Sequence, residues 1–146
     1  MTDRGRDCPF CAVDVSTAPP RERAHLTAHW RITAHRSALA GWMLLIPRRH
    51  IESLSELTVD EAGELGTLLR QSAAVQESEF GALKTYVMQF AEGVKHAHFS
   101  LVPRRADLPP DRVGAAVSAY NAKDEPLSED HRDALAERME AAWALL

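Results

Sequence analysis

VKHAHFSLVPR, residues 94–104, decides how the rest of the chain is read. His96, His98 and Ser100 stand two apart in a short apolar run that closes on a proline and an arginine. Side chains alternate faces along a strand, so Val94, His96, His98, Ser100 and Val102 are expected on one face. Lys95, Ala97, Phe99 and Leu101 are expected on the other, a mostly apolar set suited to packing against a helix. Polar groups at intervals of two form a row that one substrate could touch along its length. A solvated sheet face is the plainer alternative for such a row.

Working outward, Ala91-Glu92-Gly93 reads as a turn, and residues 83–90 (LKTYVMQF) alternate like an antiparallel partner strand. Residues 58–78 carry the clearest helix signal. Thr58 and Glu61 form a T-x-x-E capping box, with Leu57 placed to staple onto Ala62. Ala62, Leu65, Leu69 and Ala73 recur at helical spacing, while Gly63 and Gly66 either weaken the helix or permit close packing. Residues 42–47 (WMLLIP) are almost wholly apolar and predict a buried central strand; residues 29–35 predict another, with a loop over 36–41. Residues 12–28 read as an irregular connection with a short helix after Pro19 and Pro20. Beyond Arg105 come a proline-rich connection (106–112), a short helix over 113–120, and a terminal helix from Ser128 faced by Leu135, Met139, Trp143 and Leu146. Strands, helix, strands, helix: the order predicts an α+β domain with an antiparallel sheet.

The chain has 146 residues, 45% hydrophobic and 26% charged, with a net charge of -4. That length suits one domain, 1–146, with a core of its own. The balance gives no general attraction to nucleic acid or a membrane surface, though a local basic cluster can still bind a small anion. No apolar run approaches the roughly 20 residues of a membrane span. The opening MTDRGRDCPF lacks the apolar core of a signal peptide, and a cytoplasmic location is expected.

Cys8 and Cys11 are the two cysteines, in the form C-P-F-C. In a reducing compartment a structural disulfide is disfavoured. Half of a metal site, a redox pair and two ordinary thiols remain open. A redox C-x-x-C usually opens a helix after a strand, and residues 1–7 do not read as one.

HAHFSLVPR resembles the H-φ-H-φ-H-φ-φ signature of the histidine triad superfamily, often followed by P-R. GWMLLIPRRHIESLSELT is similar to that family's G-H-x-L-V-I-P-x-x-H segment before its long helix. CPFC is similar to the C-x-x-C of many bacterial members. The three segments run in the family's order from residue 8 to about 105, leaving 106–146 as a helical extension. The resemblance implies a half-barrel-like antiparallel sheet with one long helix, usually in a homodimer. It implies a nucleotide hydrolase or nucleotidyl transferase acting on the α-phosphate of a dinucleoside polyphosphate or nucleoside phosphoramidate. His98 falls at the nucleophile's position, forming a covalent nucleotidyl-histidine. A neutral imidazole suits that task near neutral pH.

Backbone N–H groups near Gly93 and the Ser100 hydroxyl are the expected phosphate contacts. Ser100 stands where the family has its third histidine; a hydroxyl donates one hydrogen bond and carries no charge. Trp42 replaces the histidine of G-H-x-L-V-I-P and either stacks on a base or packs beside Leu44 and Ile46. Ala34 falls where many members carry a ribose-binding aspartate, and Glu92 where many have glutamine. The resemblance also implies a zinc site of Cys8, Cys11, His50 and His96, a closed and therefore structural set. His25, His29, His35 and His131 are expected at the surface or in loops. Arg48, Arg49, Arg104 and Arg105 either attract a polyphosphate or form a solvated face. The alternative function is a zinc-containing nucleotide-binding or protein-interaction module of the same fold with catalysis weakened by Ser100, Ala34 and Trp42.

Overall fold

The computed structural model describes residues 5–146. Residues 1–4, part of the segment read above for a signal peptide, lie outside the described residues.

Five strands form one antiparallel sheet: β1 (His25–Leu26), β2 (Trp30–Ala34), β3 (Met43–Pro47), β4 (Ala82–Met88) and β5 (Phe99–Arg105). Their order is β1-β2-β3-β5-β4, so β3 and β5 are central and β4 is an edge. Helices α1 (Val59–Phe80), α2 (Ala119–Ala122) and α3 (Glu129–Trp143) are joined by short 3-10 helices at Pro20–Glu22, Leu54–Glu56, Pro110–Arg112 and Gly114–Ser118, the first and last at the positions where the sequence predicts short helices. The two-residue β1 lies inside the stretch expected to be irregular. It is too short to show a period, and its pairing to Arg31 and Ile32 of β2 creates it.

The period-2 alternation sorts the sheet into two faces. Trp30, Ile32, Ala34, Met43, Leu45, Phe99 and Leu101 share one core with residues of α1 and α3. Trp42, Leu44, Ile46 and Val102 form the second core, covered by Leu108 and Val117 from the chain after β5. Leu135, Met139 and Trp143 of α3 are buried as the helical spacing predicts, whereas Leu146 lies past the helix end and is exposed.

Helix α1 starts where the sequence places it. Thr58 caps it, its Oγ1 accepting from the Glu61 N–H while Glu61 accepts from the Thr58 N–H. The buried stripe differs from expectation. It is centred on Leu68, Ser72, Val75 and Gln76; of the expected residues, Leu65 and Leu69 pack half-buried against the same core, and Ala62 is exposed. Gln76 is buried because its amide donates to the carbonyls of Gly41 (3.0 Å) and Leu101 (2.8 Å), while its Oε1 accepts from the Thr85 hydroxyl. This satisfied polar group ties α1 to the sheet. A Cβ on Gly63 or Gly66 would meet nothing within 4 Å. Neither glycine serves close packing, and each costs the helix about 0.5–1 kcal/mol relative to alanine. Gly41 is different: at φ +94°, a Cβ there would lie 2.7 Å from the Phe80 ring. Only glycine fits that turn into β3.

The decisive segment departs from its sequence reading. Strand β5 starts at Phe99, so His96 and His98 precede it. The ladder with β3 ends at the Leu45–Phe99 pair. Pro47, which ends β3, has no N–H with which to extend it. The Pro47 carbonyl accepts instead from the His96 ring (2.7 Å), and the Ala97 N–H turns to the Ile51 carbonyl (2.7 Å). His96 therefore leaves the row that it was expected to share with His98 and Ser100.

Candidate active site and metal centre

His96 is 1% exposed and points under the C-P-F-C loop. Its Nδ1 lies 3.4 Å from both the Cys8 and Cys11 sulfurs, and His50 Nδ1 lies 3.3 Å from Cys11 Sγ. One donor atom from each of these four residues falls within 4.8 Å of all the others. With metal–sulfur bonds of about 2.3 Å and metal–nitrogen bonds of about 2.0–2.1 Å, tetrahedral ligands lie about 3.3–3.8 Å apart, so the cluster has the dimensions of such a site.

The hydrogen bonds prepare both imidazoles. A carbonyl only accepts, so His96 carries its proton on Nε2, donating to Pro47, and leaves the Nδ1 lone pair facing the thiols. His50 directs Nε2 to the Glu52 carboxylate at 3.4 Å, which likewise frees Nδ1. Burial pushes the His96 pKa down and keeps the ring neutral. Burial and the neighbouring Cys8 push the Cys11 thiol up to about 11. Without a cation the Cys11 thiol stays protonated, and metal binding must release its proton.

His98, two residues on, faces the other way. It lines a cleft of about 490 Å³ on the sheet's second face. Thr33 and His35 from β2 and its exit, Leu44 from β3 and Ser100 from β5 line it together with Gly93 and Val94. Pro9 and Phe10, between the two cysteines, form part of the same lining. The Phe10 ring stands edge-on to His98 at 5.0 Å and to His96 at 5.6 Å, joining the metal-ligand cluster to the cleft. His98 Nδ1 donates to the His96 carbonyl at 2.8 Å, which leaves Nε2 as the unprotonated, nucleophilic nitrogen.

His98, Ser100 and Gly93 thus share the cleft, while Cys8, Cys11, His50 and His96 gather beside it. Trp42 does not join them. It is 2% exposed and packs in the second core, 5.8 Å from the His35 ring, so the packing alternative describes it and base stacking does not. Its Nε1 has no hydrogen-bond partner among the described residues. Ala34 is buried in the core under α3.

The expected basic pairs are committed elsewhere. Arg49 forks onto Glu61, Arg48 donates to the Thr27 carbonyl, Arg105 pairs with Asp107, and Arg104 donates to the Arg105 carbonyl. The cleft's cations are Arg36 and Arg132, which the sequence reading missed. Arg132 comes from α3, its Nε donating to the Ala34 carbonyl at 2.8 Å, and no local pattern marks that meeting. Glu22 brings a carboxylate into the lining from the turn after Pro19, 3.2 Å from Arg31 and 3.4 Å from Arg132. His35, expected to be a surface or loop residue, lines the cleft, and burial with Arg132, Arg36 and His98 nearby pushes its pKa down to about 4. His25 stacks on Trp143 at 4.5 Å, and His29 bonds to Glu64 at 2.9 Å.

No protein-family model matches the sequence, and no curated protein matches it. Solved structures do. A zinc-bound histidine triad family protein from Mycobacterium smegmatis superposes with a TM-score of 0.68 at 18% identity, covering 95% of this chain and 94% of that one. A hypothetical histidine triad nucleotide-binding protein from Sulfolobus tokodaii gives 0.72 at 14% identity, over 95% and 93% of the two chains. A histidine triad protein from Sinorhizobium meliloti gives 0.64 at 21% identity, over 82% and 87%. The chain has the α+β histidine triad fold, with its five-stranded antiparallel sheet. Among the described residues no helix is long and apolar enough to cross a membrane.

Proposed function

We propose that the protein is a histidine triad nucleotide hydrolase or nucleotidyl transferase, with His98 as its nucleophile. The observation that carries this reading is the hydrogen bond from His98 Nδ1–H to the His96 carbonyl, in a ring that lines the cleft. The bond leaves the Nε2 lone pair free to attack, and its acceptor then stabilises the imidazolium that attack creates. His98 Nε2 bonds to the α-phosphorus while the bond to the leaving group breaks and its electron pair departs with that group. Water then attacks phosphorus, the P–N bond breaks, and the imidazole is restored. Ser100 donates to a phosphoryl oxygen; its hydroxyl makes no hydrogen bond to another described residue. Gly93 offers backbone at the cleft mouth. With Ala34 buried, Glu22 is the carboxylate available to ribose hydroxyls.

The substitution of Ser100 for an imidazole favours a second reading, a nucleotide-binding module of the same fold with little turnover. An α-phosphate-radiolabelled adenylyl donor separates the two. The enzyme traps label on the wild type and none on His98→Ala; absence of label from every donor class tried leaves the binder.

The four-residue cluster fits zinc in donor type and spacing, and the neighbour from Mycobacterium smegmatis is zinc-bound. Bound zinc would supply structural cross-linking: two thiolates and two imidazoles close the tetrahedron. Cys8 and Cys11 would clamp the N-terminal loop to His50 and His96, holding Phe10 against His98. Unpaired thiols in a metal site also suit the cytoplasm. Elemental analysis is expected to find about one zinc per chain, and stripping it to lower the melting temperature by about 3–4 °C for each kcal/mol lost. A metal-free protein of equal stability contradicts the site.

A homodimer is part of the proposal. Leu83, Val87 and Phe90 are 62%, 50% and 74% exposed on or just beyond β4, the open sheet edge, where a second copy can pair. Sedimentation is expected to give a dimer for the wild type and a monomer for Val87→Lys; a wild-type monomer at all concentrations contradicts it.

A further inference from the structure

The alternation that puts Trp30 and Ile32 in the first core turns Arg31 to the second face of the sheet, where it is the cross-strand neighbour of Ile46. With Pro47 these two form the buried floor of a cavity of about 210 Å³. Val13 and Val15, from the chain after the C-P-F-C loop, wall it, and Cys11 reaches it from the metal-ligand cluster. Asp14 and Arg48 are exposed at its mouth. Phe10 is the one residue it shares with the lining of the His98 cleft. At about 30 Å³ per water, the cavity holds roughly seven water volumes, enough for a small ligand and not for a nucleotide.

The floor carries a cation that its neighbours do not balance. Arg31 is 3% exposed. Its Nη1 donates to the Glu22 carbonyl and carboxylate, and its Nη2 to the Phe10 carbonyl at 3.4 Å. Glu22 also pairs with Arg132, so one carboxylate serves two guanidinium groups. Burial pushes the Arg31 pKa down while Glu22 pushes it back, and a guanidinium stays charged near neutral pH. The Arg31 Nε–H makes no hydrogen bond with another described residue. It is not sealed in either: among the described residues, Trp42 Nε1 is the sealed side-chain polar atom left without a partner. A desolvated charge with an open donor is costly unless a ligand or solvent meets it. At the mouth, Arg48 spends Nη1 on the Thr27 carbonyl and makes no ion pair with another described residue. Asp14, the carboxylate of this lining, turns Oδ1 to the Ser16 N–H and hydroxyl at 2.9 and 2.7 Å.

We propose that this cavity is a binding site for a short-chain monocarboxylate, whose carboxylate takes the Nε/Nη2 edge of Arg31 while Arg48 covers it at the mouth. Charge, shape and surroundings select this class. The group of Arg31, Glu22 and Arg132 lacks one negative charge, which a monoanion supplies. A guanidinium edge matches the two coplanar oxygens of a carboxylate. Val13, Val15, Ile46 and the Phe10 ring suit an alkyl tail of a few carbons, whereas a phosphate would set hydrated oxygens against those apolar side chains. The Phe10 ring also stands 5.0 Å from His98, so an occupant touches one wall of the cleft without entering it.

The probe is butyrate, titrated into the full chain while backbone ¹H–¹⁵N spectra are recorded, with inorganic phosphate as the comparison anion. Butyrate is expected to give saturable shifts concentrated at Cys11, Val13, Val15 and Arg31, and to bind more tightly than phosphate. Arg31→Lys keeps the charge and loses the fork; it is expected to weaken butyrate about tenfold or more, the size of a lost hydrogen bond to a charged group. Val15→Trp fills the cavity from its half-buried wall, leaves the contacts of Arg31 in place, and is expected to abolish the saturable shifts. Should Arg31→Lys fail to fold, Val15→Trp decides alone. Shifts that never saturate, or that persist in Val15→Trp, overturn the site. Phosphate binding at these residues as tightly as butyrate overturns the carboxylate class. Competitive displacement of butyrate by AMP puts it in the cleft and overturns a separate site.

Discussion

Two carbonyl groups set the roles of the two histidines. Pro47 accepts from His96 Nε2–H, and His96 accepts in turn from His98 Nδ1–H. Neutral imidazole carries one proton, so each bond decides which nitrogen keeps a lone pair. The first bond aims His96 Nδ1 at two sulfurs; the second leaves His98 with a free Nε2. Neighbours two apart in sequence thereby acquire opposite tautomers and different surroundings. The proline makes this possible, because a residue with an N–H there could have continued the ladder and kept both rings in one row.

The metal-ligand cluster and the cleft are therefore not independent. Phe10 lies between Cys8 and Cys11 in sequence, and its ring touches the edges of both histidines. Arg31, nearly fully buried, donates to the Phe10 carbonyl and to Glu22, both of which belong to residues lining the cleft. Whatever fixes the cysteine loop also fixes one wall of the cleft. The opposite wall is fixed by the chain after β5, which crosses the sheet's second face through Leu108 and Val117 before Asn121 reaches the cleft. The sheet thus carries α1 and α3 on one face and its polar cleft on the other.

Local chemistry was legible in the sequence where one stretch of chain determines the outcome. The Thr58–Glu61 box caps α1, the apolar run before Pro47 forms a central strand, and alternation sorts Phe99 and Leu101 from Ser100 and Val102. The cluster of Cys8, Cys11, His50 and His96 was expected only through the family resemblance, since C-P-F-C alone left a metal site, a redox pair and two ordinary thiols open. What escaped depends on partners far along the chain. Gln76 looks like a surface residue until Gly41, Leu101 and Thr85 supply its hydrogen bonds. Arg132 is an ordinary helix arginine until it meets the Ala34 carbonyl, 98 residues away. His96 was placed with His98 because alternation carries no information about where a ladder stops.

The tautomers are the most direct point of attack. Long-range ¹H–¹⁵N correlation spectra of the imidazole rings, recorded near neutral pH, distinguish Nδ1–H from Nε2–H at each assigned histidine. The structure requires His96 to carry its proton on Nε2 and His98 to carry its proton on Nδ1. Finding His98 protonated on Nε2, or both rings in one common tautomer, would contradict the arrangement on which the proposed nucleophile and the proposed metal site rest.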